Sequence, residues 1–213
     1  MAIYKSGIKT RDKIIEACIQ LFYEKGYNST TYADICEKVG IQQGNLHYHF
    51  RSKDTICQEV LERHLNRNFE ETRLFVTESN QDFLRHILST YIFWYKYFND
   101  AKYRRFAFET VMEYTASSLH EYYRTYLVSI GRESSLLDRN CELDLISCAA
   151  VESSLPKYMY TKYEEYSYEE LASYNARVYG HYLGPDTKYL EEAITKAENI
   201  MHTIDLNLLT FSL

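Results

Sequence analysis

Two apolar pairs stand in TTYADICEKVGIQQGNLHYHFRSK, residues 30–53, each pair spaced four residues apart: Ile35 with Val39, and Leu46 with Phe50. That spacing puts each pair on one face of a helix. Gly40 lies between the pairs and supplies the left-handed backbone angle that ends a helix at a sharp turn. Thr30 or Thr31 can cap the first helix, and Thr31-x-x-Asp34 has the spacing of a capping box. Ser52 can cap a further helix beginning near Lys53. The stretch predicts two short helices joined by a tight turn, a helix-turn-helix.

The outward face of the second helix carries Gln42, Gln43, Gly44, Asn45, His47, Tyr48 and His49. Gln and Asn amides can pair bidentately with an adenine edge in the major groove, and a neutral His donates or accepts. Gly44 has no side chain to hold a duplex away. Lys53 sits where the next helix starts, so its charge and the free N–H groups there can grip one phosphate. The same pattern also fits a helical hairpin with a solvated polar face.

A wider set of residues settles on one resemblance. The opening segment TRDKIIEACIQLFYEKGY ends in Phe22, Lys25, Gly26 and Tyr27, Gly44–Phe50 reads GNLHYHF, and Ser52-Lys53-Asp54 follows. On these motifs residues 10–65 resemble the DNA-binding domain of the TetR family of bacterial repressors. The resemblance implies an all-α chain with a three-helix head over residues 1–50. An effector-binding and dimerising body would occupy 51–213, linked by the helix from about residue 53. It implies a homodimer on a near-palindromic double-stranded DNA operator, released by a small-molecule effector that is hydrophobic or aromatic. It further implies that Tyr48, Lys53 and Thr30 or Thr31 touch phosphates. His47 stands where the family usually has Tyr, and Gln43 where a basic residue is common. No cofactor is implied.

Seven Gly and two Pro, falling between periodic apolar segments, suit helices throughout. No run of eighteen apolar residues exists to span a membrane, and the N-terminus carries no apolar signal region, so a cytoplasmic protein is expected. The net charge is −6. Residues 1–60 hold eight basic and seven acidic residues, so any DNA binding rests on a few placed cations: Lys5, Lys9, Arg11, Arg51 and Lys53. Cys18, Cys36, Cys57, Cys141 and Cys148 have no C-x-x-C spacing and read as buried thiols.

In chain order, residues 1–9 read as a mobile basic arm. The helix from Ser52 carries Ile56, Val60, Leu61, His64 and Leu65, with His64 as a satisfied core histidine. Residues 82–98 put Leu84, Ile87, Leu88, Tyr91, Ile92, Tyr95 and Phe98 on one face, bordered by Trp94. Two further apolar helices cover 102–115 and 119–130. Together these three can enclose an effector pocket lined by Tyr91, Trp94, Tyr95, Phe98, Phe108, Met112, Tyr123 and Tyr126. The same rings can equally fill a plain core. Helix 138–162 has the small residues Ser147, Cys148, Ala149 and Ala150, suited to close pairing across a two-fold axis, and Pro156 should kink or break it. Helices at 167–183 and from Gly184-Pro185 to about Leu208 complete the chain. Glu109 and Glu113 fall on a polar helix face, and Glu142 and Glu152 are expected in surface ion pairs.

No metal spacing, phosphate loop or nucleophile motif occurs, so catalytic and metal residues are both absent from the reading. Three alternatives stay open: a DNA-binding regulator governed by a protein partner, one governed by oxidation of Cys141 or Cys148, and a helical enzyme with an incidental helix-turn-helix.

Overall fold

The structure, a computed structural model, describes residues 2–78, 81–129, 133–183, 186–206 and 209; at 2–8, 111–122, 126, 129, 133 and 183 it describes the backbone. The described residues form α1 (Ala2–Lys25), α2 (Tyr32–Val39), α3 (Gln43–His49), α4 (Lys53–Glu71), α5 (Asp82–Asn99), α6 (Ala101–Ser129), α7 (Arg139–Met159), α8 (Tyr168–Leu183) and α9 (Thr187–Thr203). Short 3-10 turns follow α4, α6 and α7. No strand occurs among the described residues, so the fold is all-α.

The head is built as its sequence dictates. Ile14, Ile15, Cys18 and Phe22 of α1 are fully buried, against Ile35 of α2 and Leu46 of α3. Both halves of the Thr31–Asp34 capping box form: Thr31 Oγ1 accepts from the Asp34 N–H at 3.2 Å, and Asp34 Oδ2 accepts from the Thr31 N–H at 2.7 Å. Lys25 Nζ adds a 2.7 Å bond to Asp34. Lys25 first, then Thr31, holds this carboxyl well below the usual carboxylate range. Gly40 closes α2 in the left-handed region, at φ 74°, donating to the Cys36 and Glu37 carbonyls. Ser52 caps α4 through a reciprocal pair with Thr55.

The expected arm is not a separate element: α1 begins at Ala2. Helix propagation adds a hydrogen bond for each residue fixed, so a well-seated segment from residue 10 onward extends backward through residues of indifferent pattern.

In the body, α5 is covered on nearly every side, packing on α4, α6, α8 and α9. Phe83 through Leu88, Thr90–Ile92, Trp94, Lys96 and Tyr97 are all buried, including side chains opposite the expected stripe. A central helix has no solvated face, so its apolar stripe marks only part of what is buried. Residues 102–115 and 119–129 belong to the single helix α6 rather than to two, and Ile130 lies outside the described residues. Pro156 lies inside α7, which ends three residues later at Met159; the Pro156 carbonyl accepts from the Tyr97 hydroxyl at 2.6 Å. Cys148 and Ala149, expected at a dimer contact, are buried within the subunit instead, on a helix that packs on both α6 and α8. Gly131 and Gly184-Pro185, expected to end helices, lie outside the described residues. No helix among the described residues is long and apolar enough to cross a membrane.

Candidate nucleic-acid interface

Helix α3 has seven residues, too few to hold its direction alone. Its inward side chains fix it: Leu46 is fully buried and Phe50, its C-cap, is 2% exposed. Arg11 of α1 clamps the exit. Its Nη1 donates to the His49 carbonyl at 2.8 Å, its Cζ lies 4.2 Å from the Phe50 ring centre, and it pairs with Glu59 of α4. A cation at a helix C-terminus is also favoured by the helix dipole.

The outward face is as expected from the periodicity. Gln42, Gln43, Gly44, Asn45, His47 and Tyr48 are exposed, and His49 is half-buried. Tyr48 stands out furthest, 83% exposed, with its ring edge toward His49. Gln43 Nε2 and His47 Nε2 lie 3.3 Å apart, and the His47 ring rests 5.1 Å from Tyr32. A Cβ built on Gly44 would meet nothing within 4 Å. The protein's own packing therefore gives no reason for glycine there.

Three side chains sit otherwise than their sequence positions suggest. Thr30 is 2% exposed, and its hydroxyl donates to the Gly26 carbonyl at 2.6 Å, so it is not part of the exposed face. Of the two adjacent threonines, the N-cap Thr31 is the exposed one. Lys53 Nζ turns back to the carbonyls of Tyr27 at 2.8 Å and Thr30 at 3.0 Å, over the Tyr27 ring. Its ammonium keeps a third N–H and its charge beside the start of α4. Arg11, counted among the placed cations, is taken up by the α3 clamp. Lys9 and Arg51 are exposed, while the Lys5 side chain lies outside the described residues.

The head meets the body along two helices. Through α4, Tyr27 donates to Asp54 at 2.7 Å. Through α6, Arg105 Nη2 donates to the Tyr23 and Glu24 carbonyls at 2.8 and 3.0 Å, and Glu109 accepts from the Asn28 N–H at 3.0 Å. Tyr23 and Lys102 add bonds to Asp100 and Glu24. This second joint was not visible in the sequence, where Glu109 is only one polar residue on a polar face. Further in, a buried network ties α4 to α5 and α6. His64 Nε2 lies 2.8 Å from the Tyr103 hydroxyl and 3.1 Å from Asn68 Nδ2. Lys96 Nζ donates to Asn68 Oδ1 at 3.0 Å and to Glu71 at 2.7 Å. Burial pushes the His64 pKa well below its ordinary value, so the ring is neutral. The reading of His64 as a satisfied core histidine agrees with this geometry.

The described residues expected to line an effector pocket pack against neighbours on several helices. Tyr91 is fully buried and donates to Glu198 of α9 at 2.8 Å. Trp94 is fully buried among Phe93, Tyr97 and Phe98. Tyr95 meets Tyr168, Phe98 meets Tyr163, and Phe108 stacks on Tyr160 with ring centres 4.2 Å apart. Tyr123 faces His86 and Tyr179, neither of which the periodicity singled out. The Met112 and Tyr126 side chains lie outside the described residues. Glu142 does make a surface contact, 3.4 Å from Arg124, whereas half-buried Glu152 accepts from the buried Asn175 of α8 at 3.1 Å.

Comparison with known proteins matches residues 14–60 to the family described as bacterial regulatory proteins, tetR family. The chain is 49% identical over 49 residues to the biofilm operon icaADBC HTH-type negative transcriptional regulator IcaR of Staphylococcus aureus, covering 23% of this chain and 26% of that protein. It is 43% identical over 56 residues to IcaR of Staphylococcus epidermidis, covering 26% and 30%. The match thus spans between a quarter and a third of the length of these relatives. Over the whole chain, the structure of TylP, a TetR regulator from Streptomyces fradiae, superposes with a TM-score of 0.51 at 18% identity, covering 91% of this chain and 98% of that one. That likeness is one of fold.

Proposed function

We propose, for a chain whose head belongs to the TetR family of DNA-binding regulators, a repressor that holds a near-palindromic operator as a homodimer and leaves it when a small hydrophobic or aromatic effector binds the body. The observation that carries the reading is the seat of α3: Leu46 and Phe50 locked inward, and Gln42, Gln43, Asn45, His47 and Tyr48 turned out together. The amides and imidazole suit base edges, and Tyr48 suits the phosphate rail. A dimer supplies two such helices to successive major grooves, about 34–36 Å apart. Support for the dimer comes from α7 and α8, which pack on each other and leave Leu143, Ile146, Tyr174 and Tyr182 exposed. Large apolar side chains of this kind are what pairing of two copies would cover.

In this reading α4 and α6 are the two levers on the head, with the division between head and body falling at the start of α4. An effector that prefers a body in which these helices sit differently weakens operator binding by its differential affinity, and the operator weakens effector binding equally. Burial raises the pKa of the Cys148 thiol, and Cys141 is buried too, which removes support from control by oxidation.

The test is selection of bound sequences from random duplex DNA at physiological salt. A near-palindrome with half-sites one or more helical turns apart is the expected product; no enrichment, or binding without sequence preference, would sink the reading.

A further inference from the structure

Two outward side chains of α3 are tied to each other. Gln43 and His47 stand four residues apart on one face of the helix, and Gln43 Nε2 lies 3.3 Å from His47 Nε2. The imidazole is held from behind as well. It rests beside Tyr32 of α2, with ring centres 5.1 Å apart and planes tilted by 54°, and the Tyr32 hydroxyl accepts from the Lys53 N–H at 2.8 Å. Tyr32 opens α2, His47 lies in α3 and Lys53 opens α4, so three elements of the head meet behind one exposed amide.

The hydrogen-bonding groups of that amide set the chemistry. A Gln side chain has one acceptor oxygen and two N–H groups. A bidentate pair with adenine in the major groove uses the oxygen for the N6 amino group and the N–H beside it for N7. The second N–H points away from that edge. Water satisfies it in the free protein, but under a duplex that excludes water it becomes a buried donor in need of an acceptor. His47 Nε2 lies within hydrogen-bonding distance of this nitrogen, and a neutral imidazole with its proton on Nδ1 has a free lone pair there. The same contact fixes the rotation of the amide, so its oxygen and nitrogen do not exchange places. Guanine, which shows two acceptors on that edge, would set its O6 against the amide oxygen.

We propose that His47 is a positioning residue for sequence reading: its Nε2 takes the second N–H of Gln43, and the amide so held reads an adenine in each half-site. Tyr32 keeps the imidazole in place for this. The proposal rests on the regulator reading above and names one base of its operator.

The experiment uses the full chain and the operator recovered by selection, at physiological salt. The base pair read by Gln43 is located as the one at which Gln43→Ala loses preference. In the parent protein, guanine or 7-deazaadenine in place of the adenine there is expected to weaken binding at least about tenfold. His47→Phe keeps a ring beside Tyr32 and removes the acceptor. It is expected to cut that preference below about threefold, with preferences at the other base pairs and affinity for unrelated duplex unchanged. Because His47 acts through Gln43, the double variant is expected to lose no more than Gln43→Ala alone. A Gln43-dependent pair without adenine, or no such pair, overturns the proposal, as does a preference that survives His47→Phe. Losses that add, or a loss at another base pair, also overturn it, because His47 would then read a base of its own. A second measurement needs no DNA: nitrogen NMR of the free protein at about pH 9 is expected to find the His47 proton on Nδ1, and a proton on Nε2 overturns the pair. Should His47→Phe melt early, that tautomer decides. Failure to select any operator overturns the regulator reading and leaves the tautomer as the test of the pair.

Discussion

Lys53 Nζ holds the carbonyls of Tyr27 and Thr30 and lies 4.3 Å from the Tyr27 ring centre, so its removal touches the frame of the head as well as any phosphate. Lys53→Ala should cost about 1–2 kcal/mol of stability and weaken DNA binding evenly across sequences. Thermal melts and titrations of several duplexes check both; unchanged affinity at physiological salt would rule out the phosphate role. Gly44 behaves oppositely. With open space at its Cβ, Gly44→Ala should stabilise the free protein by about 0.5–1 kcal/mol and yet weaken operator binding, because the added methyl meets only the partner. A variant that gains stability without losing affinity would show that the duplex does not approach there. Period and glycine placement made the face of α3 legible residue by residue. Thr30 and Lys53 were not legible: two adjacent threonines look alike until packing turns one inward, and a lysine meeting carbonyls more than twenty residues away leaves no trace in local spacing.

At the scale of elements, the joint between α1 and α6 depends on Gly26. Its φ is 93°, and a Cβ there would lie 2.8 Å from Glu109 Oε2. Gly26→Ala should therefore destabilise by about 1–3 kcal/mol, with the denaturant midpoint as readout. The network joining α4, α5 and α6 makes a sharper test. Lys96 is 1% exposed, and its removal takes the cation from beside Glu71 and a donor from Asn68 Oδ1. Lys96→Met alone should cost about 3–5 kcal/mol, and Lys96→Met with Glu71→Gln distinctly less, because the second change removes the carboxylate charge that Lys96 offsets. Equal losses would mean the pair is not coupled. Short helices bounded by Gly40 and by Ser52 could be drawn from sequence because caps and periodicity agree. α5 could be drawn too, at 82–98, but its all-round burial could not, since a helix packed on four others buries Arg85, His86 and Lys96 through partners far along the chain. On α8, likewise, small Ala172 and Ala176 and polar Asn175 are buried while the larger Tyr174 is exposed, an order that residue size and polarity do not announce.

For the molecule as a whole, the buried His64 and His86 should make stability depend on acid. Both are buried and neutral, with pKa values lowered by burial, His86 to about 3. Above the unfolded value of about 6.5 neither state binds the extra protons, and their full contribution to stability is present. Below it the unfolded chain takes up protons that the folded chain refuses, so stability falls as pH drops toward 3, by up to about 1.4 kcal/mol per pH unit for each histidine. Glu152, whose pKa is raised, opposes this by binding a proton earlier when folded. Urea midpoints measured between about pH 6.5 and 5 should decline, and His86→Phe, which keeps a ring against Tyr179, should shallow the slope. An unchanged slope would place the acid sensitivity elsewhere. The clamp on α3 carries a different consequence. Its position is set from behind, by Leu46, Phe50 and Arg11, while the exposed side chains of Gln42, Asn45 and Tyr48 contribute no hydrogen bond to the frame that holds them among the described residues. Such an arrangement tolerates replacement of its outer surface, so a lineage can drift to new target sequences, or an engineer can transplant a foreign set of outward residues, without having to re-found the domain that presents them.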